Sequence, residues 1–149
     1  MSILAELSLV SQVTLFSLLA LFGLFTCIVY WAQIGCVRGK PFENPDGTTD
    51  DWREQKIFYG IAWADILVAC PISITAVVLI FLAPRWGFFL MGMASFWFLW
   101  ANTMTTITSL RFERPKITFQ WVVVFPFGAA VGLSYLAWTV VHFELLFGP

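Results

Sequence analysis

The sequence predicts an all-α fold, an integral membrane four-helix bundle with antiparallel up-down topology, and three observations carry that expectation. The first is composition. Sixty per cent of the 149 residues are apolar and only 11% are charged, with 16 Phe and 8 Trp. Ordinary soluble domains carry about 25% charged residues, and a chain of this length has room for one domain. So small a body cannot cover that much apolar surface in water. The second is segregation of charge. Residues 7–37, 66–84, 86–110 and 117–143 contain no Asp, Glu, Lys or Arg, and each run is close to or beyond the ~20 residues that cross a hydrocarbon core. In lipid the backbone must satisfy its hydrogen bonds within each segment, so all four read as helices. The third is the placement of the remaining charges, which concentrate in two of the three connections.

In chain order, the first helix is expected near residues 9–31. No Lys or Arg precedes it and no small-x-small cleavage site follows, so it is expected to be retained rather than cleaved as a signal peptide. A loop over 33–56 follows. Pro41, Pro45-Asp46-Gly47 and Thr48-Thr49 supply its turns, and Asp51 with Glu54 forms a capping box for a second helix at 57–82. Ala83-Pro84-Arg85 is so short that the third helix, 86–110, must be the antiparallel neighbour of the second. A short basic loop, 111–117, leads to the fourth helix at 118–143, completing a single transmembrane domain, 1–149.

The two longer loops hold Arg38, Lys40, Arg53, Lys56, Arg111, Arg114 and Lys116, and the opposite side has only Arg85. This bias puts loops 33–56 and 111–117 in the cytoplasm and both termini outside. Trp31, Trp52 and Trp121 then mark the inner interface, and Trp86 and Trp138 the outer one. Arg111, Arg114 and Lys116 are candidates for gripping anionic lipid headgroups, worth ~1 kcal/mol each. The other account pairs them with the acids of the first loop, Glu43, Asp46, Asp50, Asp51 and Glu54.

Several chemistries are disfavoured. Cys27, Cys36 and Cys70 form no CxxC pair, and Asn44-x-Asp46-Gly47 fails as a calcium loop because Phe42 and Arg53 stand where acids are needed. His142 is the only histidine, which excludes a bis-His haem within one chain and gives no metal site. Nothing resembles a phosphate loop or a nucleic-acid patch. No catalytic set is visible, no cofactor is indicated, and the reading leans away from an enzyme.

Projection at 100° per residue gathers small and polar residues on one face of each helix. These are Gln12, Gly23, Thr26 and Tyr30; Ala62, Asp65, Ala69, Ser73 and Ala76; Gly92, Ser95, Asn102, Thr106 and Ser109; and Gly128, Gly132, Tyr135, Thr139 and His142. Small faces allow close helix approach in lipid, and Gly128-x3-Gly132 is a GxxxG pattern offering a contact for a homo-oligomer. Most Ser and Thr hydroxyls on such faces are expected to bond the preceding turn.

Asp65 stands apart. It lies ~13 Å beyond Lys56 at 1.5 Å per residue, and Asn102 lies equally deep on the antiparallel neighbour. An ionisable side chain there costs several kcal/mol unless neutral, paired or hydrated, which makes it a functional candidate. A ligand- or ion-binding site of Asp65, Asn102, Thr26, Thr106 and Tyr30 is expected, against the plainer account of a clamp between helices. Pro71 frees a carbonyl near residue 67 and kinks the helix close to Asp65, and Pro126 does the same in the fourth helix. A secondary polar cluster of Gln12, Tyr135, Thr139 and His142 is expected toward the outer end.

Asp65-x5-Pro71 followed by Asn102-Thr-Met-Thr-Thr106 resembles the four-helix EXPERA family, whose members place acidic residues inside a bundle that accommodates sterols or amines. That resemblance implies a cavity lined by Asp65 and Asn102, in a bundle of opposite membrane orientation. The leading expectation is a small polytopic protein that binds or transports a small ligand or ion through an intrabundle site. The alternative is a non-catalytic accessory subunit of a larger membrane complex. Partners are then membrane lipids, further copies of the chain or partner membrane subunits.

Overall fold

A computed structural model describes residues 3–39, 56–113 and 116–148, and among them every regular element is helical. The elements are α1 (Ile3–Glu6), α2 (Leu9–Val37), α3 (Lys56–Ala64), a π-helical turn (Asp65–Ala69), α4 (Cys70–Leu82), α5 (Pro84–Thr108), a second π-helical turn (Ser109–Glu113), α6 (Phe119–Val124), α7 (Pro126–Val141) and α8 (Phe143–Phe147). Three stretches are long and apolar enough to cross a membrane: Leu9–Val37, Tyr59–Leu82 and Phe119–Val141. The helix α5 is as long but more polar, because Asn102, Thr103, Thr105 and Thr106 dilute its C-terminal half.

Local chemistry explains the boundaries. Ser8 caps α2, its hydroxyl accepting from the Ser11 N–H at 3.2 Å. The helix runs on to Val37, beyond the expected end at residue 31, because the polar Gln33 has a partner inside the protein. Thr118 caps α6, accepting from the Trp121 N–H at 3.1 Å. The break at Phe125 follows from Pro126, which has no N–H to continue the ladder. The expected Asp51–Glu54 capping box and the first-loop acids lie outside the described residues.

In lipid no hydrophobic force drives helices together, so close packing must do so. The most extensive contacts of α5 are with α4 and α7, while α2 packs on α3, α4 and α7. A Cβ on Gly87 would stand 2.2 Å from the Ile80 backbone nitrogen, so the α4–α5 hairpin closes through that glycine. A Cβ on Gly132 would lie 2.5 Å from the Ser95 carbonyl oxygen, and one on Gly128 equally close to the Asn102 side chain. The GxxxG face is thus consumed within the chain, against α5, and is not free for a second copy as expected.

Phe22 fills the interior between Phe98 and Tyr135, meeting both rings edge-on at centroid distances of 4.8 and 5.9 Å. Trp31 and Trp86 are exposed, whereas Trp121 and Trp138 are buried against protein. The Trp121 indole donates to Ser109 Oγ at 3.1 Å, and Trp138 stacks on Phe88 and His142.

Candidate functional site

The turn that carries Asp65 is the only point where the second span leaves α-helical register. There the Cys70 N–H reaches back five residues to the Asp65 carbonyl. Pro71 immediately follows and brings no N–H, so the local ladder has little to hold it in α register. The π turn also moves the buried face. Projection at 100° per residue places Ala69 beneath Asp65, but Cys70 is the residue that is buried and Ala69 is half-buried. Beyond the turn the face continues through Ser73, Ala76 and Ile80.

Asp65 is 3% exposed. Its Oδ2 accepts a hydrogen bond from Gln33 Nε2 at 2.7 Å, and its Oδ1 is buried with no hydrogen-bond partner. A buried carboxyl oxygen without a donor is an uncommon arrangement, since most such atoms in folded proteins are satisfied. Thr26, 2% exposed, faces the start of α4. Its backbone carbonyl receives the Cys70 thiol at 3.9 Å, while its hydroxyl has no partner. Seven residues separate Thr26 from Gln33, ~10 Å along the helix, so the two orphaned oxygens mark different levels of the α2 contact.

The remaining expected ligands are deployed otherwise. Asn102 is turned onto Gly128, and its amide nitrogen donates to the Phe98 carbonyl at 2.9 Å. The Thr106 hydroxyl is spent on the Asn102 carbonyl at 2.5 Å. Among the described residues no hydrogen bond joins Asp65 to either of them. Tyr30 is exposed rather than inward-facing. The partner of Asp65 is instead Gln33, which the sequence reading did not select. Its signal was there: Gln33 is seven residues after Thr26, two turns on along the same helical face.

Hydroxyls elsewhere behave as expected. Ser73 and Ser95 bond the carbonyls of Ala69 and Met91 at 2.9 and 2.6 Å. Of the headgroup candidates, Arg111 and Lys116 are exposed, and Arg114 lies outside the described residues.

At the far end of the same interior, the expected secondary cluster divides. Gln12 Nε2 donates to the carbonyls of Leu4 and Leu7 at 3.1 and 3.0 Å, folding α1 back on α2. His142 Nδ1 lies 2.8 Å from the Trp138 carbonyl, which can only accept, so that nitrogen carries the proton. In the neutral ring Nε2 then accepts from the Ser11 hydroxyl at 2.9 Å. This ties the start of α2 to the end of α7. Tyr135 and Thr139 remain, one turn apart on α7, with buried hydroxyls within reach of each other. Cys27 and Cys70 form no disulfide, and no three His, Cys, Asp or Glu side chains come together among the described residues.

No protein-family model, curated protein or solved structure matches the chain.

Proposed function

We propose that this chain is a small polytopic membrane protein that binds or transports a small ligand or ion through an interior polar site centred on Asp65. In this reading it is a four-helix bundle in which α5, 25 residues and ~37 Å long, makes the remaining span. The connection between α2 and α3 and the one between the second π-helical turn and α6 lie on the cytoplasmic side and both termini on the other, as the basic residues favour.

One observation carries the proposal. In the interior of a span, at a π turn next to a proline, a carboxyl group has one oxygen held by Gln33 and the other without a donor. A clamp between helices needs only the first of these. The second is an acceptor available to a proton, a cation or a donor group on a ligand, and π turns of this kind recur at functional sites. Movement of a substrate by so small a chain would require several copies, and Gly128 and Gly132 are already occupied within the chain. Any oligomer therefore assembles through another face.

The test is Asp65→Asn, followed by gentle native purification and mass spectrometry of everything retained. Asparagine keeps an oxygen able to accept from Gln33, so the fold is expected to survive while a bound molecule is lost. Retention of that molecule by the variant would remove Asp65 from the site. Stoichiometric partner subunits, unaffected by the substitution, would favour the accessory-subunit account instead.

A further inference from the structure

The exposed face of α5 carries a feature separate from Asp65. Phe96, Leu99, Trp100, Thr103 and Met104 line a groove of about 370 Å³ along this helix. Phe96 and Trp100 are 63% and 52% exposed, and Ile107, two turns beyond Trp100, is 61% exposed. At 100° per residue Phe96, Trp100, Thr103, Ile107 and Arg111 share one face, with Leu99 and Met104 flanking it. Arg111 is exposed, in the π-helical turn that follows the helix. No Asp or Glu occurs in residues 86–110. The acid of the turn, Glu113, is two positions on, about 200° further around the helix.

Distance along the helix decides what such a groove can hold. Met104 and Phe96 precede Arg111 by ~10 and ~22 Å at 1.5 Å per residue. The headgroup layer takes up ~5–7 Å on each side of a hydrocarbon core ~30 Å thick. With Arg111 at the level of the phosphates, the groove therefore covers the depth of one leaflet's acyl chains and stops near the midplane. A guanidinium donates to two phosphate oxygens at once, and a basic residue at the membrane surface favours anionic lipid. A second copy of the chain fits this face less well. Packed about a two-fold axis, it would bring its own Arg111 to the same level, like charge against like. We infer that the groove and Arg111 form a site for one anionic phospholipid, with an acyl chain along residues 96–104 and the phosphate on the guanidinium. This site rests on the reading of α5 as the remaining span and does not depend on Asp65.

The experiment uses phosphatidylglycerol and phosphatidylcholine that each carry a diazirine midway along an acyl chain, in nanodiscs holding one copy of the protein. After illumination, mass spectrometry of peptides locates the adducts. Phosphatidylglycerol is expected to label residues 96–104 more than the other exposed faces, at Leu24, Val78 and Leu133. Arg111→Gln should lower that labelling about fivefold, the equivalent of ~1 kcal/mol, and Arg111→Lys should keep most of it. Labelling by phosphatidylcholine should be weaker at these residues and change little with either variant. Lys116→Gln removes the same charge from an exposed residue outside the groove and should leave the pattern as it is. Even labelling of all faces, or an equal loss with Lys116→Gln, overturns the site while α5 remains a span. Label on Tyr59–Leu82 with none on α5 from either lipid overturns the span itself, and the site with it. Loss of the label when nanodiscs hold two copies gives the face to a second chain instead. Should the variants not fold, the contrast between the two lipids on the wild-type protein decides, and equal labelling by both overturns the site.

Discussion

The glycines provide the sharpest test of how the helices are held, because one substitution has opposite consequences at different positions. Alanine at Gly132 places its Cβ 2.5 Å from the Ser95 carbonyl oxygen and 2.9 Å from the Leu99 nitrogen. Both are backbone atoms and cannot rotate away, so α5 and α7 must move apart locally by about 1 Å to restore ordinary contact. Overpacking of this kind costs about 1–3 kcal/mol, here toward the upper end. The better helix propensity of alanine returns up to ~1 kcal/mol. A net loss of ~2 kcal/mol remains, about thirtyfold in the folding equilibrium. Gly23 and Gly92 have nothing within 4 Å of the same added carbon, so alanine there is expected to be neutral or to gain up to ~1 kcal/mol. Gly128→Ala should fall between, because the atoms it meets belong to the movable Asn102 side chain. Reversible denaturation in mixed micelles, read by tryptophan fluorescence, orders the four variants. If Gly132→Ala unfolds at the same midpoint as Gly23→Ala, the close α5–α7 approach is not what stabilises the fold.

Three further predictions follow from single contacts. Gln33→Ala leaves Asp65 Oδ2 without its only donor among the described residues, and a loss of about 1–3 kcal/mol is expected in the same denaturation assay, against little change for Asp65→Asn. Trp121→Phe strands the Ser109 hydroxyl, which is buried, and should cost ~1 kcal/mol; adding Ser109→Ala should return most of it, as a double-mutant cycle would show. Cys70 is fully buried while Cys27 is exposed. In detergent a small maleimide should therefore modify Cys27 sooner than Cys70, which reacts only as the protein unfolds, and mass spectrometry of peptides against time resolves the two.

Much of this architecture was legible in the sequence, since charge-free runs in lipid leave the backbone little choice but helix. The short α1 and α8 were not expected, while the long described helices fall within a few residues of expectation, except at the end of the first. There Gln33 and Gly35 read as loop, although the helix continues through them to Val37. The reason also explains what was missed at the site. A glutamine inside a span is tolerable only with a partner, and that partner, Asp65, lies 32 residues away on another helix. Counting residues from Lys56 and from Arg111 set Asp65 and Asn102 at one depth, but such a count carries no direction, and Asn102 turns toward Gly128. The exchange of Ala69 for Cys70 on the buried face has a different origin: a fixed 100° step cannot carry across a turn that holds an additional residue.

That additional residue bears on how the sequence of this segment can vary in length. A π turn is an α-helix that has absorbed one more residue than its register requires, and the strain stays local because the ladder resumes on either side. The span Tyr59–Leu82 is in this sense an α-helix plus one. Loss of one residue between Asp65 and Cys70 would let the segment close into uninterrupted α register, with the face of α4 still turned toward α5. Loss of one residue anywhere else in the span would swing everything beyond it by about 100°. The part of the helix nearest the buried carboxyl is thus also the part where a deletion would disturb the rest of the fold least, so relatives of this chain can differ there in length while sharing the same packed core.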